Sequence, residues 1–169
     1  MRLLFCVLIL ICIPGPFTKA DDSVSLIRSF MGTWHSDGDA FGGPATSTMT
    51  WAQALDGLFA RLDYRIDMQR DGDVSVFRGT AYYRLGPATS FPAFWADTSG
   101  DLHPITMVRD GTALVSTWGL DSGKQGRTRY DLIAPDTIEV TDWIKTRSDG
   151  TEGWKQFNRN IFVREHPKG

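Results

Sequence analysis

At 169 residues, with 41% hydrophobic side chains, the chain is long enough for one domain with a full core. Its 18 basic and 20 acidic side chains leave a net charge of −2, which argues against nucleic acid or anionic lipid as a main partner. The two cysteines, Cys6 and Cys12, both sit in the N-terminal apolar stretch, so the rest of the chain has no disulfide, thiolate metal site or cysteine nucleophile.

Residues 1–20 read as a secretory signal peptide. Arg2 supplies the charged start and Leu3–Ile13 is almost wholly apolar. Pro14-Gly15-Pro16 breaks the run, and Ala20 is the small residue before Asp21-Asp22. The apolar run is shorter than the roughly 20 residues that span a bilayer. This predicts an exported protein, periplasmic or extracellular, with residues 21–169 as its single domain and no membrane span once the leader is removed. Ile11 before Cys12 is not the small residue of a lipoprotein signal, and there is no Asn-x-Ser/Thr sequon.

One short helix follows. Ser23 is placed to cap it, Leu26, Ile27 and Phe30 share a face, and Gly32 ends it. Everything beyond reads as strands. The predicted spans are 33–40, 45–55, 58–69, 74–85, 90–97, 102–109, 112–120, 126–133, 137–146 and 153–164. Turn chemistry separates them: Asp56-Gly57, Asp71-Gly72, Ser99-Gly100, Asp110-Gly111, Ser122-Gly123, Pro135-Asp136 and Asp149-Gly150.

The alternation has period two. In the third strand Leu58, Ala60, Leu62, Tyr64, Ile66 and Met68 share one face, and Arg61, Asp63, Arg65 and Asp67 the other. In the second, Met49 and Trp51 oppose Thr46, Thr48 and Thr50. In the eighth, Tyr130 and Leu132 oppose Arg127, Arg129 and Asp131. About ten antiparallel strands with one apolar face each bury that face, and lose their edges, by closing into a barrel. The predicted fold is all-β: one up-and-down barrel of about ten strands, with the helix closing one end.

Phe30-Met31-Gly32-Thr33-Trp34 resembles the entry to a calycin-type barrel. In lipocalins and fatty-acid-binding proteins a short helix leads to Gly-x-Trp on the first strand. The chain also resembles a bacterial calycin-like family of unknown function, through motifs in the same order. These are Met49-Thr50-Trp51, Leu58–Tyr64, Tyr82-Tyr83-Arg84, Trp95-Ala96-Asp97-Thr98-Ser99-Gly100, Trp118-Gly119 and an aromatic-rich final strand ending in Arg164. The resemblance implies a barrel but no established activity. It also implies that Arg159 or Arg164 lies over the Trp34 ring. More distantly similar nitrobindins bind haem through a histidine near the C-terminus. The histidine in that region here is His166, in a tail beyond the last strand, so no cofactor is predicted.

Several constellations could carry chemistry. His35, Asp37 and Asp39 alternate onto one strand face, either as ligands for a divalent cation or as a solvent face opposite Trp34. Asp97 and His103 flank a turn that contains Asp101. They are read either as a general acid–base pair or as a turn cap beside a surface histidine. Arg61, Arg65, Arg127 and Arg129 interleave with Asp63, Asp67 and Asp131. These are read as cross-strand ion pairs on the outer face, in preference to an arginine-lined interior. Asp142 shares a face with Ile138, Val140 and Ile144, where a carboxylate needs a partner or a raised pKa.

A barrel of this width has room for a ligand. Trp51, Tyr64, Tyr83, Trp95, Trp118 and Tyr130 are its expected aromatic walls, with Ser116 and Asp142 as polar groups. The sequence therefore points to binding of a small apolar or aromatic molecule. Two other readings stay open. One is an enzyme using Asp97, His103 or Asp142 on a bound molecule. The other is a filled barrel acting through its surface, with no cavity of roughly 300 Å³. Oligomeric state is left open.

Overall fold

The computed structural model describes residues 19–70, 73–86, 90–148 and 151–166. The predicted signal peptide up to residue 18, with Cys6 and Cys12, lies outside the described residues, as do the Asp71-Gly72 and Asp149-Gly150 turns.

Helix α1 (Lys19–Ser29) is followed by ten strands: β1 (Gly32–Ala40), β2 (Gly43–Ala54), β3 (Phe59–Arg70), β4 (Asp73–Arg84), β5 (Ser90–Asp97), β6 (Leu102–Asp110), β7 (Ala113–Gly119), β8 (Gln125–Ala134), β9 (Thr137–Ser148) and β10 (Thr151–Arg164). Each strand pairs antiparallel with its sequence neighbours, and β10 returns to β1, closing an up-and-down barrel. Turn residues of positive φ close several hairpins, among them Gly100 at 84° and Gly111 at 64°.

Ser23 is not the cap. The described helix already runs from Lys19, and Ser23 is buried within it. Gly32, at φ 123°, turns the chain from the helix into β1. The apolar stripe behaves as its spacing requires. Ile27 and Phe30 are fully buried, and Phe30 meets Trp51 with ring centroids 5.9 Å apart. Trp34 Nε1 donates to the Phe30 carbonyl at 2.8 Å, which locks the helix over that end of the barrel.

Arg164 completes the plug. Its guanidinium lies 4.0 Å from the Trp34 ring centroid and donates to the Ser29 carbonyl and to Asp136. Of the two arginines that the resemblance offered, Arg164 takes this place. Arg159 instead pairs with Glu139 at 2.7 Å on the outer face.

The inner face follows the alternation. Met49, Trp51, Ala60, Leu62, Ile66, Met107, Leu114, Ile138 and Phe162 are all buried. Leu58 is the exception, exposed in the turn before β3. The arginines and aspartates point outward. Their pairing is not between neighbouring strands, however. Arg61–Asp63 and Arg65–Asp67 are two residues apart on one strand, as is Arg129–Asp131, while Arg129 also reaches over β7 to Asp110. Residues i and i+2 share one face of a strand, about 6.5–7 Å apart, within reach of a long arginine side chain. Solvent-exposed pairs of this kind contribute little to stability.

Candidate functional site

The helix end of the barrel is filled and the other half is not. A cavity of about 420 Å³ opens between the hairpin ends opposite the helix. Its floor is aromatic. Tyr83 stacks on Trp51 at 5.4 Å, and Tyr130 meets the same indole edge-on at 5.4 Å. Seven of the eight expected site residues line the cavity: Tyr64, Tyr83, Trp95, Ser116, Trp118, Tyr130 and Asp142. Trp51 does not. It faces inward as its strand parity requires, but it pairs with Gly32 and Leu62 near the helix and lies beneath the floor as core.

Two glycines set the walls. A Cβ on Gly126 would stand 1.9 Å from Trp118 Cζ2, and one on Gly79 would stand 1.9 Å from Trp95 Cζ2. Each indole therefore lies flat over a bare backbone. Trp95 is fixed further by donating to Asp97 at 2.8 Å and by stacking on Phe77 at 6.3 Å. Trp118 donates to Thr128 Oγ1 at 3.2 Å and packs on the His103 ring at 5.4 Å. At the rim, Phe41 sits at φ 51°, unusual for an aromatic residue, and packs edge-on to Phe77 at 5.4 Å.

Asp142 is the polar centre. Thr128 Oγ1 donates to its Oδ1 at 2.6 Å, and Asn158 Nδ2 donates to its Oδ2 at 2.9 Å. A β-bulge between Gln156 and Asn158 shifts strand parity, so both Phe157 and Asn158 reach the cavity. Asn160 continues the network, donating to Asn158 Oδ1 at 3.0 Å and to the Asp39 carbonyl at 2.8 Å. Burial pushes the Asp142 carboxyl above the usual carboxylate range, against the two hydrogen bonds that favour its ionised form. Burial likewise raises the Tyr64, Tyr83 and Tyr130 phenols, which stay neutral donors around physiological pH. Tyr83 accepts from Ser116 Oγ at 3.4 Å.

The raised carboxyl has a consequence for stability. A native state that holds its proton more tightly than the unfolded chain loses stability as pH rises from the ordinary value of 3.8 through the raised one. Above that window the ionised, poorly hydrated group is a cost. Asp142→Asn is expected to raise the melting temperature at pH 7 by about 2–4 °C, the equivalent of roughly 1 kcal/mol. The gain shrinks toward zero near pH 4. Thermal melts of both proteins at the two pH values check this; an equal gain at both would remove the ionised carboxylate as its cause.

The remaining candidates fall into place around the mouth and outer wall. Asp97 and His103 both line the cavity mouth but are not partners. Asp97 accepts from Trp95 Nε1 and from the Ser99 and Asp101 amides at 2.8 and 3.3 Å, so it caps the turn. His103 instead faces Asp101 at 3.5 Å, and Lys124 approaches the same carboxylate at 3.7 Å. His35, Asp37 and Asp39 lie exposed on the outer face of β1, where His35 meets Glu165 at 3.2 Å and Asp37 accepts from Thr46. Among the described residues no group of three or more His, Cys, Asp or Glu is placed to hold a metal ion. His166 pairs with Asp136 at 3.4 Å beside Arg164, at the end away from the cavity.

Thr128, Asn158, Lys124, Phe77 and Phe157 also line the cavity and were not anticipated. Thr128 was legible, since it shares parity with Tyr130. The glycines inside strands at positions 79 and 126 also signalled close approach of a large neighbour. Asn158 was hidden by the bulge.

No described helix is long and apolar enough to cross a membrane. No protein-family model matches the chain, and no curated protein matches it. Among solved structures it is similar to the S-type phycobiliprotein lyase CPES from Guillardia theta, with a TM-score of 0.59 over 89% of this chain and 97% of that one. The two are 11% identical, so the likeness is one of fold. In architecture the chain is a closed, ten-stranded, calycin-like barrel.

Proposed function

We propose that the protein is an exported binding protein that holds a small, largely apolar or aromatic molecule in the open half of its barrel. The observation that carries the reading is the cavity of about 420 Å³, walled by two indoles and three tyrosines around one half-buried carboxylate. Ligand sites combine an apolar wall with a few fixed polar groups in this way. Export rests on the sequence of Met1–Ala20. The likeness to a lyase that acts on phycobiliproteins is compatible with a barrel that handles a small molecule. The hydrogen bonds on Asp97 commit it to the turn, which removes it as a general acid–base partner of His103.

The test pairs native mass spectrometry of the protein produced with its own leader and titration with the neutral apolar dye N-phenyl-1-naphthylamine. Saturable one-to-one dye binding, or an extra mass lost on denaturation, is the expected result. A bare mass together with no saturable dye binding would overturn the reading in favour of a barrel acting through its surface.

A further inference from the structure

The cavity's charges are unevenly committed. Three carboxylates line it: Asp97, Asp101 and Asp142. Asp97 is taken up by an indole N–H and two backbone amides, and Asp101 by His103 and Lys124. Asp142 has only neutral donors, one on each oxygen. An ionised carboxylate has about four acceptor positions, so roughly half of its capacity is unspent. The only cationic side chain lining the cavity among the described residues is Lys124, held at the mouth beside Asp101, 5.9 Å from the Trp118 ring centroid.

Three kinds of ligand would meet this site differently. An anion would be repelled by Asp142. A purely apolar molecule would cover the carboxylate and strip its water without replacing it, a cost that only a hydrogen-bond donor or a charge offsets. A cation would pair with Asp142 and lie against ring faces of Trp95, Trp118 and the tyrosines, which attract positive charge.

We propose that the ligand is a compact organic amine, whose ammonium group sits on Asp142 and whose apolar or aromatic body fills the space between Trp95 and Trp118. This rests on the reading of the barrel as a ligand carrier and names the class of molecule carried. Asp142 supplies the charge and Thr128 and Asn158 hold its oxygens in place. The indoles, fixed by Gly79 and Gly126, supply the walls.

Three indoles of nearly equal size separate the alternatives at pH 8: tryptamine as the cation, tryptophol as the neutral alcohol, and indole-3-acetate as the anion. Each competes against bound N-phenyl-1-naphthylamine. Tryptamine is expected to bind about 10-fold or more tighter than tryptophol, the worth of one charge-assisted contact, with indole-3-acetate weakest. In Asp142→Asn, shown to be folded by its cooperative melt, the tryptamine-to-tryptophol ratio is expected to fall to about 2 or less. Tryptophol binding as tightly as tryptamine in the unaltered protein overturns the proposal while leaving the carrier reading in place. A tryptamine preference that survives in Asp142→Asn also overturns it, since the charge would then be read at the rim. If neither the dye nor any indole binds, the carrier reading fails and this proposal fails with it.

Discussion

Arg164→Ala is expected to cost about 3 kcal/mol, which for a domain of this size lowers the melting temperature by roughly 6–12 °C. The side chain joins three stretches far apart in the chain. Its guanidinium covers Trp34 and donates to the carbonyls of Ser29 and Met31, at the end of the helix. It also donates to Asp136 and to the Pro135 carbonyl, in the turn between β8 and β9. Truncation removes a cation–π contact worth about 0.5–2 kcal/mol and leaves helix-end carbonyls without their donor. The side chain also lies at the seam where β1 and β10 pair through Trp34↔Arg164 and His35↔Val163. Arg164→Lys is expected to recover only a minor part, because an ammonium cannot fork to carbonyls on both sides while lying flat on the ring. Thermal melts of both variants decide the matter. A lysine variant as stable as the parent would mean that charge alone matters there, and the forked geometry would lose its role.

Which residues face inward was largely legible, because strand parity is a local property. The alternation through Leu62, Tyr64 and Ile66 needs no knowledge of neighbouring strands, and Asp142 stood out because its parity conflicted with its charge. Depth along the barrel is not local. Trp51 and Trp118 read alike in sequence, yet Trp51 pairs with Gly32 under the helix, whereas Trp118 pairs with Gly126 in the open half. That difference depends on the stagger of ten strands, which no single strand encodes. Partner choice at the mouth was equally hidden. His103 meets Asp101 and not Asp97, because Trp95 Nε1 and two turn amides already occupy the Asp97 oxygens. Asn158 was lost for a third reason: one extra residue at the bulge changes parity midway along β10.

Gly126→Ala is expected to empty the site of ligand without unfolding the barrel, lowering affinity for N-phenyl-1-naphthylamine by about 10-fold or more. The new methyl group would stand 1.9 Å from Trp118 Cζ2, a distance no contact tolerates. The backbone cannot yield easily, because Gly126 is paired on one side with Trp118 and on the other with Ile144. The indole is the part that can move, and the space beside it is the cavity. Swinging inward, the ring fills part of the 420 Å³ and gives up its hydrogen bond to Thr128, the residue that also holds Asp142. Overpacking of this kind costs about 1–3 kcal/mol, which such a barrel can bear. Gly153→Ala is the control, since nothing lies within 4 Å of the added methyl group. The double change Gly126→Ala with Trp118→Ala separates a blocked cavity from a damaged one: with the ring gone the volume returns, and dye affinity is expected to recover at least in part. Unchanged affinity in Gly126→Ala alone would mean that the ligand does not enter beside Trp118, and the wall assigned to that indole would have to be given up.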